Sequence, residues 1–255
     1  MKAVILAAGV ASRLRPWTDA TPKCLLPLGG GTLLGRTLDA LDAGGVRDVV
    51  LVTGYLEEQI RRFVAERSSG MRVEFVRNDV YATTNNIYSL WLARAAVLGG
   101  GMLLLDSDIL FDPAIIPALL AADAPAGLAV KTGLELGEEE IKVEVDGNRR
   151  VKTIGKEVPR ASAMGESIGI EVFRPQALAE LFQSMERIVE GQGRRDVFYE
   201  AAFQDMIDKG GTILAVDIGD ALAIEIDTIE DFRRAERDVL PLLKKGSSPI
   251  SGKRG

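Results

Sequence analysis

The sequence predicts an α/β fold in which helices cover both faces of a mostly parallel central sheet, with a small antiparallel hairpin insertion. Three observations point there. Short apolar runs alternate with amphipathic stretches through the first half, several of those runs end in small or acidic residues, and strict alternation around an Asp-Gly pair follows at 141–155. AVILAAG (3–9) has the length and apolar continuity of a strand buried on both faces. LLGRTLDALDAGG (33–45) spaces its apolar residues as an amphipathic helix and closes on glycine, and DVVLVTG (48–54) completes a βαβ start. The alternation repeats: EEQIRRFVAER (57–67) as helix, RVEFV (72–76) as strand, IYSLWLARAAV (87–97) as helix and MLLLDSD (102–108) as strand. A helix is expected from near Pro113, then the strand GLAVK (127–131). IKVEVDGNRRVKTIG (141–155) has the pattern of a hairpin with a two-residue Asp146-Gly147 turn. ESIGIEVF (166–173) follows as a strand, 175–190 and 198–210 as helices, TILAVDI and ALAIEID as late strands, and a last helix from Thr228 to Lys244.

Composition narrows the chemistry. The chain has 255 residues, 47% hydrophobic and 27% charged, enough for one large α/β domain over 1–243, with halves at 1–131 and 132–243. The polar, basic end 244–255 is expected to be a disordered tail, a nucleic-acid or membrane arm being the less favoured reading. A net charge of -6 speaks against a general nucleic-acid binder. No stretch approaches a membrane span and the start lacks a secretory signal pattern, so no stable membrane association and a cytoplasmic location are expected. One cysteine, Cys24, excludes an internal disulfide and a cysteine-based zinc cluster. The absence of histidine removes Ser-His and Cys-His nucleophiles, histidine bases and histidine-bound zinc. What remains is chemistry run on carboxylates, lysines, arginines and a hard metal ion.

Several clusters could run it. LAAGVASRLRPW (6–17) puts Leu6 and the small residues Ala7, Ala8 and Gly9 at the end of the first strand, then Ser12, Arg13 and Arg15. Small residues let a phosphate approach the backbone and arginines supply planar donors; a plain tight turn is the competing reading. Neither GxxxxGK[ST] nor GxGxxG occurs. Lys23 sits between Pro22 and an apolar run. Asp106 and Asp108 end an apolar strand, where unpaired charge would be costly. Glu225 and Asp227 repeat the arrangement late in the chain on one predicted strand face, and two separated acidic pairs suit Mg²⁺. Asp231 is expected to be a first-turn helix charge. NDVYATTNNIYSLWLA (78–93) contains a helix cap at Thr84 or Asn85, but a cap explains only one of its polar residues.

Together, LAAGvaSRLrPwT and TPKcLLPl resemble the N-terminal signature of the nucleotidyltransferases that join a nucleoside triphosphate to a sugar or alcohol phosphate, along nearly the whole chain. The resemblance implies a Rossmann-like three-layer α/β/α fold, with Ala8, Gly9, Ser12, Arg13 and Lys23 at the triphosphate and Asp108 and Asp227 as metal ligands for Mg²⁺, supported by Asp106 and Glu225. The glycine-rich PxGTAG-like segment usual in the sugar enzymes is missing. TNNIYSLWLA instead resembles the branch that transfers cytidylyl groups to phosphocholine or related alcohol phosphates and phosphonates, which implies CTP as donor. Asn78, Thr84, Asn85, Asn86 and Ser89 are then candidates for base and ribose contacts, amides offering both donors and acceptors. On the acceptor side the resemblance brings Lys156 to the acceptor phosphate and the segment around Glu166 to the pocket border, a plain surface charge being the alternative for each. Phe198, Tyr199 and Glu200 could bind a cationic acceptor, with a core role for Phe198 as the alternative. The expected partners are CTP and a small phosphorylated acceptor, with homo-oligomerisation left open. Other readings are an aminoethylphosphonate, inositol phosphate or sugar phosphate acceptor, a catalytically silent nucleotide-binding regulator, and a hydride-transferring dinucleotide enzyme, which the missing GxGxxG opposes.

Overall fold

The computed structural model describes residues 1–67, 70–133 and 135–246. In chain order the main elements are β1 (Lys2–Ala7), α1 (Leu33–Ala43), β2 (Asp48–Thr53), α2 (Glu57–Glu66), β3 (Arg72–Arg77) and α3 (Asn86–Leu92). Then come β4 (Met102–Asp106), β5 (Ile109–Phe111), α4 (Ile115–Ala121), β6 (Ala126–Lys131), β7 (Lys142–Val145) and β8 (Val151–Gly155). The chain closes with β9 (Gly165–Phe173), α5 (Pro175–Glu186), α6 (Glu200–Asp208), β10 (Leu214–Asp217), β11 (Ala223–Glu225) and α7 (Ile229–Arg234), whose helical path continues to Gly246.

The strands β8-β7-β9-β4-β1-β2-β3 form one sheet, with β6 pairing β9 and β10. β4, β1, β2 and β3 run parallel, as βαβ crossovers require. β9 enters antiparallel beside β4 and joins the parallel block to β6 and the hairpin. Alternation explains the burial on both faces: Ala3, Ile5 and Ala7 of β1 pack with α1, α2 and α4, whereas Val4 and Leu6 pack with α3, α5 and α6. The three-layer α/β/α expectation holds.

A third cluster positions the site. Leu14, Leu26 and Leu28 of the N-terminal segment pack against Leu110, Ile226, Phe232 and Leu240. This seam ties the loop carrying Arg13 and Lys23 to the late segment carrying Asp227, across more than 200 residues of sequence.

Local differences have local causes. The hairpin turn is longer than two residues: the Asp146 N–H donates to the Arg150 carbonyl, the Asp146 carboxylate accepts from the N–H groups of Asn148 and Arg150, and Arg149 takes φ 62°. The aspartate's hydrogen bonds close a wider loop than Asp-Gly predicts. β1 ends at Ala7 and β4 at Asp106, so Asp108 follows a Ser107 turn rather than sharing the strand. β11 likewise stops at Glu225, short of Asp227. The 87–97 helix is broken at Ala93. The last helix begins where expected, with Thr228 and Asp231 forming a reciprocal capping box. The tail expected over 244–255 lies outside the described residues from 247 onward, while 244–246 still belong to the helix. No helix among the described residues is long and apolar enough to cross a membrane.

Candidate active site

The carboxyl ends of β1 and β4, the loop after β11 and the start of α3 enclose a cleft of about 340 Å³. Leu6, Ala7, Ala8, Gly9, Arg13 and Lys23 line it on one side, Thr84, Asn85, Asn86 and Ser89 on another, and Asp106, Asp108, Glu225 and Asp227 at its base. Residues from four distant stretches therefore meet at the strand ends, where the fold class places ligands. A Cβ built on Gly9 would meet nothing within 4 Å, so the glycine leaves open space over the strand end. Its role is room rather than an unusual backbone angle: the left-handed residue of this turn is Ala11, with φ 52°.

Charge organises the base of the cleft. Lys23 Nζ donates to Asp108 Oδ2 and Asp227 Oδ1, each at 2.8 Å, and Arg13 Nη2 donates to Asp227 Oδ2 at 2.6 Å. The Lys23 side chain is 10% exposed. Burial alone would depress its pKa, but Asp108 and Asp227 outweigh burial and raise it, so the ammonium persists. Asp231 accepts the N–H groups of Asp227 and Thr228, fixing the backbone that presents the Asp227 carboxylate. That is more than the helix-charge role expected from sequence.

Asp108, Glu225 and Asp227 each bring a carboxylate oxygen within 4.8 Å of the other two. Asp108 Oδ1 is buried and has no hydrogen-bond partner. Burial, then Asp108 and Asp227, push the Glu225 carboxyl up to about 8. An all-oxygen, acidic donor set with an unanswered buried oxygen fits a hard divalent cation such as Mg²⁺. Glu225, expected only to support the two metal-site aspartates, stands with them as a third carboxylate of the cluster.

The amide-rich segment divides into contact and support. Asn78 is buried and its amide is spent inside the protein: Nδ2 donates to Thr84 Oγ1 and Ser89 Oγ, both at 3.1 Å, and Oδ1 accepts from the Val80 N–H. It does not line the cleft, and its place as a base contact is corrected to that of a brace. Asn85 Oδ1 accepts from the Asn86 N–H and caps α3, and Asn86 Oδ1 accepts from the Tyr199 N–H. With these carbonyls engaged, the two amides have chiefly N–H donors to offer a ligand. Ser12 is exposed and outside the lining residues.

A smaller cavity of about 140 Å³ adjoins the cleft and shares Arg13, Asn86, Asp106, Phe198, Glu225 and Asp227 with it. Lys156 and Glu200 line the smaller cavity but not the cleft. The Lys156 ammonium pairs with Glu139 at 2.7 Å and lies 5.1 Å from the Phe198 ring centre. Glu166 instead borders a neighbouring hollow with Arg13, Glu225 and Asp227. Burial, with Glu140 adding, raises its carboxyl to about 7. The two aromatic expectations exchange places: Tyr199 is 0% exposed, packed in the core with Phe203, whereas Phe198 is 43% exposed at the cavity. Tyr199 therefore offers no face to a ligand; its hydroxyl donates to Asp106 Oδ2 at 2.8 Å and braces that carboxyl from behind. Tyr81, which no sequence pattern singled out, also lines the cleft. Cys24 lies at its edge, and burial pushes the thiol up to about 12, an inert packing residue.

The strand ends of this α/β sheet gather two cations, Arg13 and Lys23, paired with a cluster of carboxylates, and comparison with known proteins gives the class as nucleotidyltransferase. The chain belongs to the MobA-like NTP transferase domain family, which it matches over residues 3–201. It is 31% identical, over 92% of its length, to the CMP-5'-(3-aminopropyl)phosphonate synthase of Streptomyces rubellomurinus, and 43% identical, over 37% of its length, to the choline-phosphate cytidylyltransferase of Streptococcus pneumoniae. The matches span 38% and 39% of those relatives' own lengths. Among solved structures, the inositol-1-phosphate CTP transferase from T. maritima has the same fold, with a TM-score of 0.78, 24% identity and 98% of each chain covered.

Proposed function

We propose that this chain transfers a cytidylyl group from CTP to the phosphate or phosphonate of a small amino alcohol derivative, the class that includes phosphocholine, releasing pyrophosphate in a Mg²⁺-dependent reaction. The observation that carries the reading is the meeting of Asp108, Glu225 and Asp227 with Lys23 and Arg13 at the base of one cleft. The names of the Streptomyces and Streptococcus relatives support cytidylyl transfer and an amine-bearing acceptor.

In this mechanism an acceptor oxygen attacks the α-phosphorus of CTP; a new P–O bond forms as the bond to pyrophosphate breaks. A phosphate monoester has a second pKa of about 6, so its attacking oxygen is already ionised at neutral pH and no histidine base is needed. Catalysis comes from alignment and charge neutralisation. The small residues Ala7, Ala8 and Gly9 let the triphosphate lie against the end of β1, with Arg13 and Lys23 as its cations. Thr84, Asn85, Asn86 and Ser89 face the nucleoside, and Asn78 holds their segment in shape. Lys156 takes the acceptor phosphate, and Glu166 borders the acceptor's entry. Asp108, Asp227 and Glu225 would hold Mg²⁺, which when bound supplies further charge neutralisation at the phosphates. Lys23 is the counter-ion of the two aspartates, and with a cation held by them its ammonium would be available to a phosphate. In this reading residues 1–131 serve the nucleotide and 132–243 the acceptor.

The test is pyrophosphate release with Mg²⁺ and CTP, UTP, ATP or GTP against a panel of phosphorylated acceptors. Release that requires CTP and an amine-bearing acceptor is expected. Equal release with all four nucleotides would remove the assignment of CTP.

A further inference from the structure

Glu200, the first residue of α6, is 8% exposed, and its Oε2 is buried without a hydrogen-bond partner. Leaving a buried acceptor unanswered is costly, so the arrangement suits an occupant that brings a donor. Glu200 lines the smaller cavity beside Asp106, and that cavity carries more acid than base. Its two cations are already paired, Arg13 with Asp227 and Lys156 with Glu139. Asp227 and Glu225 belong to the carboxylate cluster, which leaves Glu200 and Asp106 facing the cavity without an ion pair, the Lys156 charge acting on Glu200 only from beyond hydrogen-bond reach. The cavity's aromatic lining is Phe198, whose ring already lies near the Lys156 ammonium, while Tyr199 is shut into the core.

These features separate two kinds of acceptor cation. A quaternary ammonium has no N–H and relies on aromatic faces for recognition, ideally several around it. A primary ammonium carries three donors and is matched by carboxylates and hydroxyls, such as Glu200, Asp106 and the neighbouring Ser167.

Resting on the proposed cytidylyl transfer, we propose that Glu200, with Asp106 beside it, recognises a primary ammonium on the acceptor and makes this chain selective for aminoalkyl phosphates or phosphonates over quaternary and uncharged acceptors. Lys156, across the same cavity, holds the phosphate end, so the two ends of the acceptor are read by opposite charges.

The experiment compares kcat/KM, by CTP-dependent pyrophosphate release, for 2-aminoethyl phosphate, 2-aminoethylphosphonate, phosphocholine and propyl phosphate. The two aminoethyl probes also separate phosphate from phosphonate sources. At least one of them is expected to exceed phosphocholine and propyl phosphate by on the order of tenfold or more. Glu200→Gln is expected to lower kcat/KM for the preferred aminoethyl probe by on the order of 10- to 100-fold, mainly through KM, and to change propyl phosphate by no more than about twofold. Glu200→Asp, which keeps the charge but shortens its reach, should fall between the two, and CTP affinity and melting temperature of each variant report whether the fold is intact. Preference for phosphocholine or propyl phosphate, or an equal loss on all probes in a folded Glu200→Gln protein, would overturn the inference while cytidylyl transfer stood. No CTP-dependent release with any acceptor, inositol phosphate included, would remove cytidylyl transfer itself.

Discussion

Lys23 shows how one side chain can serve both folding and chemistry. Its ammonium is the shared counter-ion of Asp108 and Asp227 in a place almost closed to water. Removing it leaves two carboxylates facing each other and Glu225, so Lys23→Met should destabilise the metal-free protein by about 1–3 kcal/mol. Millimolar Mg²⁺ should restore much of that loss by taking over as counter-ion, a recovery that calorimetric melting with and without chelator would show. Asp108→Asn is expected to behave oppositely, keeping a cooperative melt while losing turnover by about 100-fold or more, because it removes a metal ligand rather than a structural cation. Normal activity of Asp108→Asn at limiting Mg²⁺ would break the metal assignment. At this scale much of the site was legible in the sequence, because acidic residues at the ends of apolar strands demand a cation and the chain has no histidine to supply other chemistry. What could not be read was which of two adjacent rings turns inward. Phe198 and Tyr199 sit at a helix start, where one backbone step moves a side chain between core and cavity.

The segment 78–86 gains its shape from a single buried amide. Asn78 bonds Thr84, Ser89 and the Val80 N–H, while the Asn85 N–H donates to the Arg195 carbonyl and Asn86 Oδ1 accepts from the Tyr199 N–H. The loop is thus fastened both to itself and to the segment 195–199. Asn78→Ala should cost about 1–3 kcal/mol of stability, since it leaves Val80 N–H and two hydroxyls short of partners, and should weaken CTP binding without altering the metal dependence of turnover. Titration calorimetry with CTP, alongside a melt, separates those effects. The polar richness of this stretch was visible in sequence, but an asparagine that binds a base and one that braces a loop look alike until burial is known. Gly169 makes the same point for a strand. At φ 69°, with a Cβ that would come within 2.8 Å of Asp106 Oδ2, it lets the irregular middle of β9 pass close to the site. Nothing in the GESIGIEVF run marks that glycine apart from its neighbours.

Over the whole molecule, the parallel block and its covering helices followed from periodicity, because buried parallel strands and amphipathic crossovers write strong local patterns. The antiparallel entry of β9 beside β4 and the seam from Leu14 to Phe232 did not, since both depend on contacts remote in sequence. The carboxyls buried around the cleft and its two neighbouring hollows have a consequence for stability. Burial raises Glu200 to about 7 from an ordinary 4.5, against its own backbone hydrogen bond and the Lys156 charge, while burial together with neighbouring acidic charge raises Glu166 to about 7 and Glu225 to about 8. Between these values the unfolded chain has released protons that the folded chain retains, so stability falls as pH rises through the window. The metal-free protein should therefore melt at a higher temperature near about pH 5 than near about pH 8, and Mg²⁺ should flatten the upper part of that slope. A flat or rising profile would mean that these carboxyls are not held protonated by the fold.

Metal-dependent cytidylyl transfer at the Asp108, Glu225 and Asp227 cleft is the proposal on which the other assignments rest. Its most direct measurement is pyrophosphate release by the wild-type chain and Asp108→Asn, with CTP and a panel of aminoalkyl, choline, inositol and sugar phosphates, with and without Mg²⁺. Release that needs CTP, Mg²⁺, an intact Asp108 and an amine-bearing acceptor is expected. Tight CTP binding with no pyrophosphate from any acceptor would contradict it and leave a nucleotide-binding protein without the chemistry.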